Sequence, residues 1–370
     1  MALTPSDELR LNVLLTQQPQ AIKINESTMR VMALTPGGEA RIDLHPDCKP
    51  EQYFKQLREF LSTQVLGSPG GYPIFLRRWT RMGQAREESL ARLLLLAEDE
   101  AVTAVVHAPG LTLSLARCAW WVLPSADNAR QMLRLDAIAQ SDLGLELSEF
   151  LLEFLPFEER QQAMIDSVRL ILQAGQVGPS VRDSLWRKAS RKSSYYAGFL
   201  QAAAHELPEQ GSDHPLLQAA NSFREKNENE QNRDLLNLLV QVLGESGQVY
   251  LKTLKRAFVK PNDQDVVVSL MNTIGDYFAV LNIDNRRYRD LQMWNRHAGE
   301  ILQERHSAHL PDMPDELQRC CESLLALSMV DETMVNPVFA VTDAVGSVMR
   351  KRIQPVTDAL MYHIDRLHAG

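Results

Sequence analysis

Apolar residues return at helical spacing through most of the chain. Over residues 147–155, leucine and phenylalanine recur every third or fourth position, and residues 164–172 repeat the pattern beyond Pro156. Such a stripe predicts amphipathic helices that pack against one another. Prolines and glycines divide residues 86–180 into pieces of roughly ten to thirty residues, which is typical of short antiparallel helices in a bundle or an α-solenoid. No fixed period with shared residues indicates a named repeat family.

The start of the chain has a mixed pattern. Residues 21–25 and 40–44 partly alternate apolar and polar side chains, which is typical of strands, and the Pro-Gly-Gly sequence at 36–38 predicts a turn between strand-like runs. Helical stripes precede and follow them, the second one beginning at Pro50. We therefore expect a small layer of strands among helices in this part.

The second half of the chain predicts longer helices joined by short turns. Residues 235–243 are almost entirely apolar, so they should form a core helix rather than a surface helix. Further helices are expected at about 264–282, 287–307, 314–328 and 335–368, the last of them bent at Pro355. Residues 208–234 are rich in chain breakers and polar residues, which predicts a connection between two helical units.

The predicted architecture is therefore mainly α. It consists of a small α+β N-terminal part over residues 1–70, an array of antiparallel helices over 71–207, the connection over 208–234, and a C-terminal helical bundle over 235–370.

Composition and charge describe an ordinary globular protein. Apolar residues make up 45% and charged residues 23% of the chain, and the formal net charge of −8 argues against a generally basic nucleic-acid binder. A local basic patch remains compatible with that average. The N-terminus lacks a secretion signal, and no apolar run approaches the roughly 18 residues that span a bilayer, so we expect a cytoplasmic protein with no membrane insertion.

Cysteine and histidine spacing predicts neither a disulfide scaffold nor a metal site. Four cysteines are few for a chain of this length, and reduced thiols are the simplest interpretation. The scattered histidines offer no ligand framework for structural zinc, and we predict no metal and no cofactor. Serine-nucleophile, metalloprotease-helix and kinase signatures are missing from the sequence, so no catalytic residue is predicted and the protein is not expected to be an enzyme.

An arginine-rich stretch at residues 67–84 is the first candidate binding site. Guanidinium groups beside aromatic faces can hold a phosphate, a carboxylate or a single-stranded nucleic acid. Its glycines do not follow the order of a phosphate-binding loop. The alternative is a hinge whose arginines pair with nearby acids such as Glu87 and Glu88. The candidate residues are Tyr72, Arg77, Arg78, Trp79 and Arg81.

Two further basic stretches predict a surface for an anionic partner. The first runs from Arg182 to Lys192 and carries Arg187, Lys188 and Arg191, of which Arg187 and Arg191 share a helix face. The second contains Lys252, Lys255, Arg256 and Lys260. Solvated helix faces are the alternative interpretation of both stretches.

Two adjacent pairs of residues complete the candidates. Trp120 and Trp121 lie about 100° apart on a helix, so one indole can face a core while the other marks a pocket or an interface; bulky packing at a helix corner is the alternative. Cys320 and Cys321 would suit persulfide transfer or redox sensing if a thiolate were exposed. They lie more than a turn inside an expected helix, and buried structural cysteines are the alternative.

The segment LGSPGGYPIFLRRWTRMGQ at 66–84, followed by ESL at 88–90, LLLLA at 93–97 and AVVHAPGLT at 104–112, resembles the DsrS family. Members of this family are encoded with the dissimilatory sulfite reductase (Dsr) machinery of sulfur-oxidising bacteria. The resemblance covers roughly residues 60–175. It implies a cytoplasmic accessory or regulatory protein of sulfur oxidation, partnered by a protein of that machinery, with no catalytic residues to carry over.

Two other functions stay open at this point. One is regulation of gene expression through nucleic-acid binding by the Arg77–Arg81 and Arg182–Lys192 stretches, which predicts strong salt dependence. The other is a thiol-based sulfur carrier that uses Cys320 or Cys321.

Overall fold

The computed structural model describes residues 3–73, 87–227, 229–282, 284–306, 310 and 312–369. It divides into two compact units, Met1–Phe154 and Leu155–Gly370. The described residues are mainly helical, with a three-stranded antiparallel sheet near the N-terminus, which confirms the predicted fold class. The boundary predicted near residue 70 falls inside the first unit, and the connection predicted at 208–234 falls inside the second.

The first unit combines the sheet with short helices. Its strands are β1 (Ala21–Asn25), β2 (Arg30–Thr35) and β3 (Gly38–Asp43). Its described helices are α1 (Pro5–Thr16), α2 (Pro50–Leu66), α3 (Glu87–Leu93), α4 (Asp99–Val106), α5 (Leu113–Val122), α6 (Ala126–Leu133), α7 (Asp136–Ala139) and α8 (Asp142–Phe154).

The sheet is a meander in the order β1-β2-β3. Ile22 pairs with Ala33, and Val31 pairs with Ile42, so the alternating inward residues of all three strands meet on one apolar face. Tyr53 of α2 belongs to the same core cluster. The sequence predicted the outer strands but not β2, whose central residues form a continuous apolar run.

A buried carboxylate joins α1 to the rest of this layer. Asp7 is fully buried and accepts hydrogen bonds from the Tyr53 hydroxyl and, at 2.7 Å, from the backbone N–H of His45. Burial acts to raise the pKa of Asp7, but these hydrogen bonds outweigh it and hold that pKa below its usual value. The carboxylate is therefore charged and fixed between three segments of chain.

Helices are the regular secondary structure of the second unit over its described residues. Its helices are α9 (Gln161–Ala174), α10 (Pro179–Ala189), α11 (Ser193–Ala202), α12 (Leu217–Asn227), α13 (Arg233–Leu243), α14 (Glu245–Val259), α15 (Gln264–Tyr277), α16 (Leu291–Ile301), α17 (Asp315–Ser328), α18 (Asn336–Phe339) and α19 (Gly346–Leu367). Short 3-10 segments and one π-helical turn, Leu302–His306, join them.

Helix α11 is the centre of this unit. It packs against α9, α10, α14 and α15, and its residues 193–200 are all buried. Gly198 permits the approach to α9, because a Cβ there would lie 2.7 Å from the Cβ of Val168 and 2.9 Å from the carbonyl oxygen of Ile165. Helix α13 is buried along most of its length, as its apolar sequence predicted.

Two stretches differ from the predicted elements. The connection predicted at 208–234 contains α12, which packs against α13. The helix predicted over 335–368 is divided into α18 and α19, since Gly346 takes a left-handed φ of 60° at the division. Pro355 lies inside α19 without ending it. No described helix has the length and apolar character required to cross a membrane.

Candidate functional site

Two adjoining cavities in the second unit form the candidate site, which we call the polar cleft. The larger chamber measures about 640 Å³ and the smaller about 530 Å³. Gln173, Ala204 and His205 line both chambers. Clefts of this size into which a few polar groups converge are typical of small-molecule sites.

Helix ends create the larger chamber. Gly175 ends α9 in a left-handed conformation with φ of 65°, and Pro179 begins α10. Ala202 ends α11, and the chain then crosses the opening through residues 203–206. Because residues 202–204 are all alanines, their side chains leave the space between these helix ends unfilled.

Arg182 supplies the charge of the larger chamber. Its Nη2 donates to the backbone carbonyl of Glu206, while its Nε is buried and has no hydrogen-bond partner among the described residues. No ion pair joins Arg182 to a described acid, although Glu206 also lines the chamber. Arg182 therefore lines the chamber with a charge that no described acid neutralises.

The smaller chamber contains a hydrogen-bonded polar network. Asp166 and Arg169 form an ion pair at 2.9 Å. Gln201 donates from Nε2 to the Ser269 hydroxyl at 2.7 Å and to the Thr273 hydroxyl at 3.2 Å. These contacts fix the side chains that line this chamber.

An aromatic pair closes the smaller chamber. Tyr277 stacks on Tyr250 with ring centroids 3.8 Å apart, and its hydroxyl accepts from Gln241 Nε2 at 3.3 Å. Burial raises the pKa of Tyr277, and the hydrogen bond from Gln241 opposes that rise. The His205 ring lies 5.3 Å from the Tyr277 ring, and its Nδ1 lies 3.4 Å from Gln241 Nε2. His205 is exposed, so it stands between the two chambers and solvent.

The tryptophan pair serves packing within the first unit. Trp120 is 6% exposed, donates from Nε1 to Glu146 at 2.8 Å and meets the Phe150 ring edge-on at 4.9 Å. Trp121 faces the sheet: its Nε1 donates to Glu39 at 2.6 Å, and the Lys23 ammonium lies 3.9 Å from its ring centroid. The two indoles thus face different partners, as their angular separation predicted, and both are used inside the chain.

Of the five candidate residues in the arginine-rich stretch, Tyr72 alone lies among the described residues. Arg77, Arg78, Trp79 and Arg81 lie outside the described residues. Tyr72 is half-buried, which raises the pKa of its hydroxyl, and its backbone N–H donates to Glu98 at 3.0 Å.

The two other basic stretches have different surroundings. Arg187, Lys188 and Arg191 are exposed, and none forms an ion pair with a described residue. In contrast, Lys252 pairs with Glu209 at 2.6 Å, Arg256 also pairs with Glu209, and Lys255 pairs with Asp365 at 2.8 Å. The later stretch is thus largely neutralised within the unit. Helix α10 ends at Ala189, so Arg191 lies beyond it, and the predicted helix face shared by Arg187 and Arg191 is not formed. We call Arg187, Lys188 and Arg191, which lie at and just after the end of α10, the α10 cations.

Both candidate thiols are buried in α17. Cys320 is 2% exposed and Cys321 is 0% exposed. Burial raises the pKa of Cys320 to about 11 against the opposing effect of Arg366, and burial raises the pKa of Cys321 as well. The exposed thiolate that a sulfur carrier needs is not formed by either residue.

The sequence did not indicate the polar cleft. Its pattern marks Arg182 only as a member of a basic stretch and gives no signal at His205, Gln241 or Tyr277. The available signal was local: the breakers at 175–179 and the alanines at 202–204 mark helix ends with small side chains.

No protein-family model, curated protein or solved structure matches the chain. Among the described residues, no group of three or more His, Cys, Asp or Glu side chains is arranged to hold a metal ion.

Proposed function

We propose that the chain is a cytoplasmic accessory or regulatory protein of bacterial sulfur oxidation that acts by binding a protein partner. The resemblance of residues 66–112 to the DsrS family supports the pathway. The structural observation that supports partner binding is an exposed apolar surface with a basic rim on the second unit.

This surface, which we call the valine surface, consists of Val259, Val341, Val345 and Val348. Their side chains are 65%, 77%, 62% and 53% exposed. Clustered apolar exposure of this kind is typical of interaction sites, whereas single exposed valines are ordinary.

Hydrogen bonds hold the valine surface together. The backbone N–H of Gly346 donates to the carbonyl of Asn262 at 2.9 Å, and Gln264 Nε2 donates to the carbonyl of Thr342 at 2.8 Å. Arg350 also donates to the carbonyl of Pro261 at 3.1 Å. These bonds tie the end of α14 to the start of α19, so the four valines belong to one part of the surface.

Exposed cations surround the valines. Lys260, Lys351 and Arg352 are exposed and form no ion pair with a described residue. The Ser193 hydroxyl donates to the carbonyl of Lys260 at 3.3 Å, so the start of α11, which follows the α10 cations in the chain, contacts the end of α14. Over residues 179–191, 259–265 and 340–358 the exposed cations number six and the exposed acids four, namely Asp183, Asp265, Asp343 and Asp358. An acidic protein with apolar side chains at its centre would complement this surface.

Affinity capture with the full chain tests the proposal. The immobilised chain is incubated with extracts of sulfur-oxidising cells, and bound proteins are identified by mass spectrometry. We expect a component of the Dsr machinery to be retained by the wild-type chain and reduced at least about tenfold by the double variant V345D/V348D. Val13 is 51% exposed in the first unit, so V13D is the matched control and should behave like the wild type.

Recovery of no sulfur-oxidation component would overturn the proposed function. Equal recovery of that component by the wild type and by V345D/V348D would instead show that the valine surface is not the site that binds the partner. Unchanged thermal unfolding of both variants excludes a general loss of folding as the cause.

A second candidate function, nucleic-acid binding, is supported by the α10 cations, because they are exposed and have no acidic partner among the described residues. Fluorescence anisotropy with single-stranded RNA and DNA over a salt series tests it. Binding should weaken with a log–log slope of about −0.7 for each phosphate contacted. The variant R187E/K188E/R191E should make that slope less steep, because it contacts fewer phosphates. K55E, which alters an exposed lysine of the first unit, should leave the slope unchanged. A flat salt response would exclude this function.

A further inference from the structure

We infer that the larger chamber of the polar cleft is a binding site for a small organic carboxylate, with Arg182 holding the carboxylate group. This inference is independent of the protein partner proposed above, because it rests on the walls of the chamber and on one guanidinium.

The unused donor of Arg182 is the first reason. A guanidinium carries five N–H donors and no acceptor, and the structure gives Arg182 one hydrogen bond among the described residues. The bond from Nη2 to the Glu206 carbonyl holds the group in place, the buried Nε is closed to a ligand, and Nη1 has no partner among the described residues. A carboxylate oxygen would accept a charge-assisted hydrogen bond from Nη1.

The second reason is the local charge. Arg182 forms no ion pair with a described acid, so its charge is not already neutralised by a protein carboxylate. It lies in the first turn and a half of α10, an 11-residue helix that begins at Pro179 without a side-chain N-cap. The positive end of that helix adds to the attraction for an anion at the same wall. Glu206 is the opposing charge, and its side chain is exposed to solvent, where its effect is screened.

The walls favour an organic anion over an inorganic one. Leu172, Val177, Pro179 and the alanines at 202–204 contribute apolar surface, and the chamber volume of about 640 Å³ far exceeds that of a single phosphate ion. An apolar body placed along these walls would displace water while its carboxylate contacts Arg182. Gln173 and His205 also line the smaller chamber and can receive a polar group of the ligand.

Titration calorimetry on the full chain tests the site with defined probes. Benzoate and hexanoate are compared with their neutral amides, benzamide and hexanamide, and with inorganic phosphate. We expect saturable binding of at least one carboxylate and affinity at least about tenfold lower for its amide and for phosphate. R182Q should weaken carboxylate binding at least about tenfold, and R182K should restore part of it, because lysine keeps the charge but not the fork of donors.

Two further variants locate the site. A203F places a large side chain at the chamber wall and should block binding while leaving Arg182 in place. R187Q removes an exposed cation from the same helix and should bind as the wild type does. Thermal unfolding without ligand is measured for each variant, so that a loss of binding by a folded chain is distinguished from a loss of folding.

Several results would overturn the inference. The first is that neither carboxylate shows saturable binding at concentrations up to about 20 mM, which would exceed the dissociation constant of an ordinary ligand. The second is that R182Q or A203F binds the carboxylate as tightly as the wild type. Equal affinity for benzoate and phosphate, or for benzoate and benzamide, would also overturn it, because the carboxylate or the apolar body would then contribute nothing.

Discussion

At the scale of single residues, burial decides the chemistry of the titratable groups in the second unit. His363 of α19 is 1% exposed, its Nδ1 lies 3.2 Å from the Ser323 hydroxyl, and its ring meets Trp294 edge-on at 4.9 Å. Burial, together with the charge of Arg366, lowers the pKa of His363 to about 4. Over the pH range in which the imidazole of the unfolded chain takes up its proton, the imidazole of the folded chain therefore stays neutral.

This makes the free energy of unfolding depend on pH. Below its ordinary pKa near 6.5 the unfolded His363 binds a proton that the folded one refuses, so stability is complete above pH 6.5 and falls as the pH drops toward 4. The loss should reach about 3 kcal/mol. The free energy of unfolding is measured in urea at several pH values across this range. Its slope against pH should be smaller for H363Q than for the wild type by nearly one bound proton. H107Q, which changes an exposed histidine, should keep the wild-type slope.

The cysteines give a second prediction at this scale. Iodoacetamide attacks thiolates, so buried thiols with raised pKa values should react slowly. We expect native chain at pH 8 to be labelled at the half-buried Cys48, while Cys118, Cys320 and Cys321 react only in denaturant. Intact-mass and peptide analysis distinguish the sites. Rapid native labelling of Cys320 or Cys321 would contradict this arrangement and return the sulfur-carrier hypothesis to consideration.

At the scale of elements, periodicity predicted the helices whose own pattern of apolar residues indicates how they are buried. Helix α13 is apolar nearly all round and is buried, because only a core accommodates such a surface. Strand β2 has no such signal: its apolar run becomes a strand because β1 and β3 pair with it on both sides. The basic stretch at 252–260 shows the same dependence on distant partners, since Glu209 neutralises two of its members from outside the stretch.

The contact between α9 and α11 offers a test of packing at this scale. G198A adds one methyl group that would overlap Val168 and the Ile165 carbonyl, so the helices must move apart. We expect a loss of about 1–3 kcal/mol in the free energy of unfolding, measured in urea. Gly178 is the N-cap of α10 and has open space around the position of a Cβ, so G178A should cost about 0.5 kcal/mol, the difference between glycine and alanine at an N-cap. Equal stability of G198A and the wild type would show that this approach is not close.

At the scale of the whole molecule, the average composition hides how charge is distributed. The net charge of −8 coexists with exposed cations beside the valine surface, while the lysines and arginine near Glu209 and Asp365 are neutralised. A linear sequence does not distinguish these two cases. For the same reason the polar cleft could not be predicted: Arg182, His205 and Tyr277 come from separate segments that meet only after α9, α10, α11 and α15 have packed.

The division into two units predicts which fragments fold. Residues 155–370 keep α11 together with its partners α9, α14 and α15, so this fragment should show cooperative urea unfolding and dispersed amide resonances. A fragment of residues 208–370, cut at the boundary suggested by the sequence, separates α14 and α15 from α11 and exposes their apolar faces. It should be aggregated or unfold without cooperativity. If the shorter fragment folded as well as the longer one, α11 would not be the centre of the core.

The Asp7 carboxylate has a practical consequence for shortening the chain. Its acceptor oxygens serve the Tyr53 hydroxyl and the His45 N–H, which belong to segments that follow it by more than thirty residues. Deleting α1 would therefore remove more than a terminal helix: it would leave the buried Tyr53 hydroxyl and the partly buried N–H of His45 without their acceptor. An affinity tag can be placed ahead of α1, but trimming past Asp7 to improve crystallisation would damage the layer that the trimming was meant to preserve.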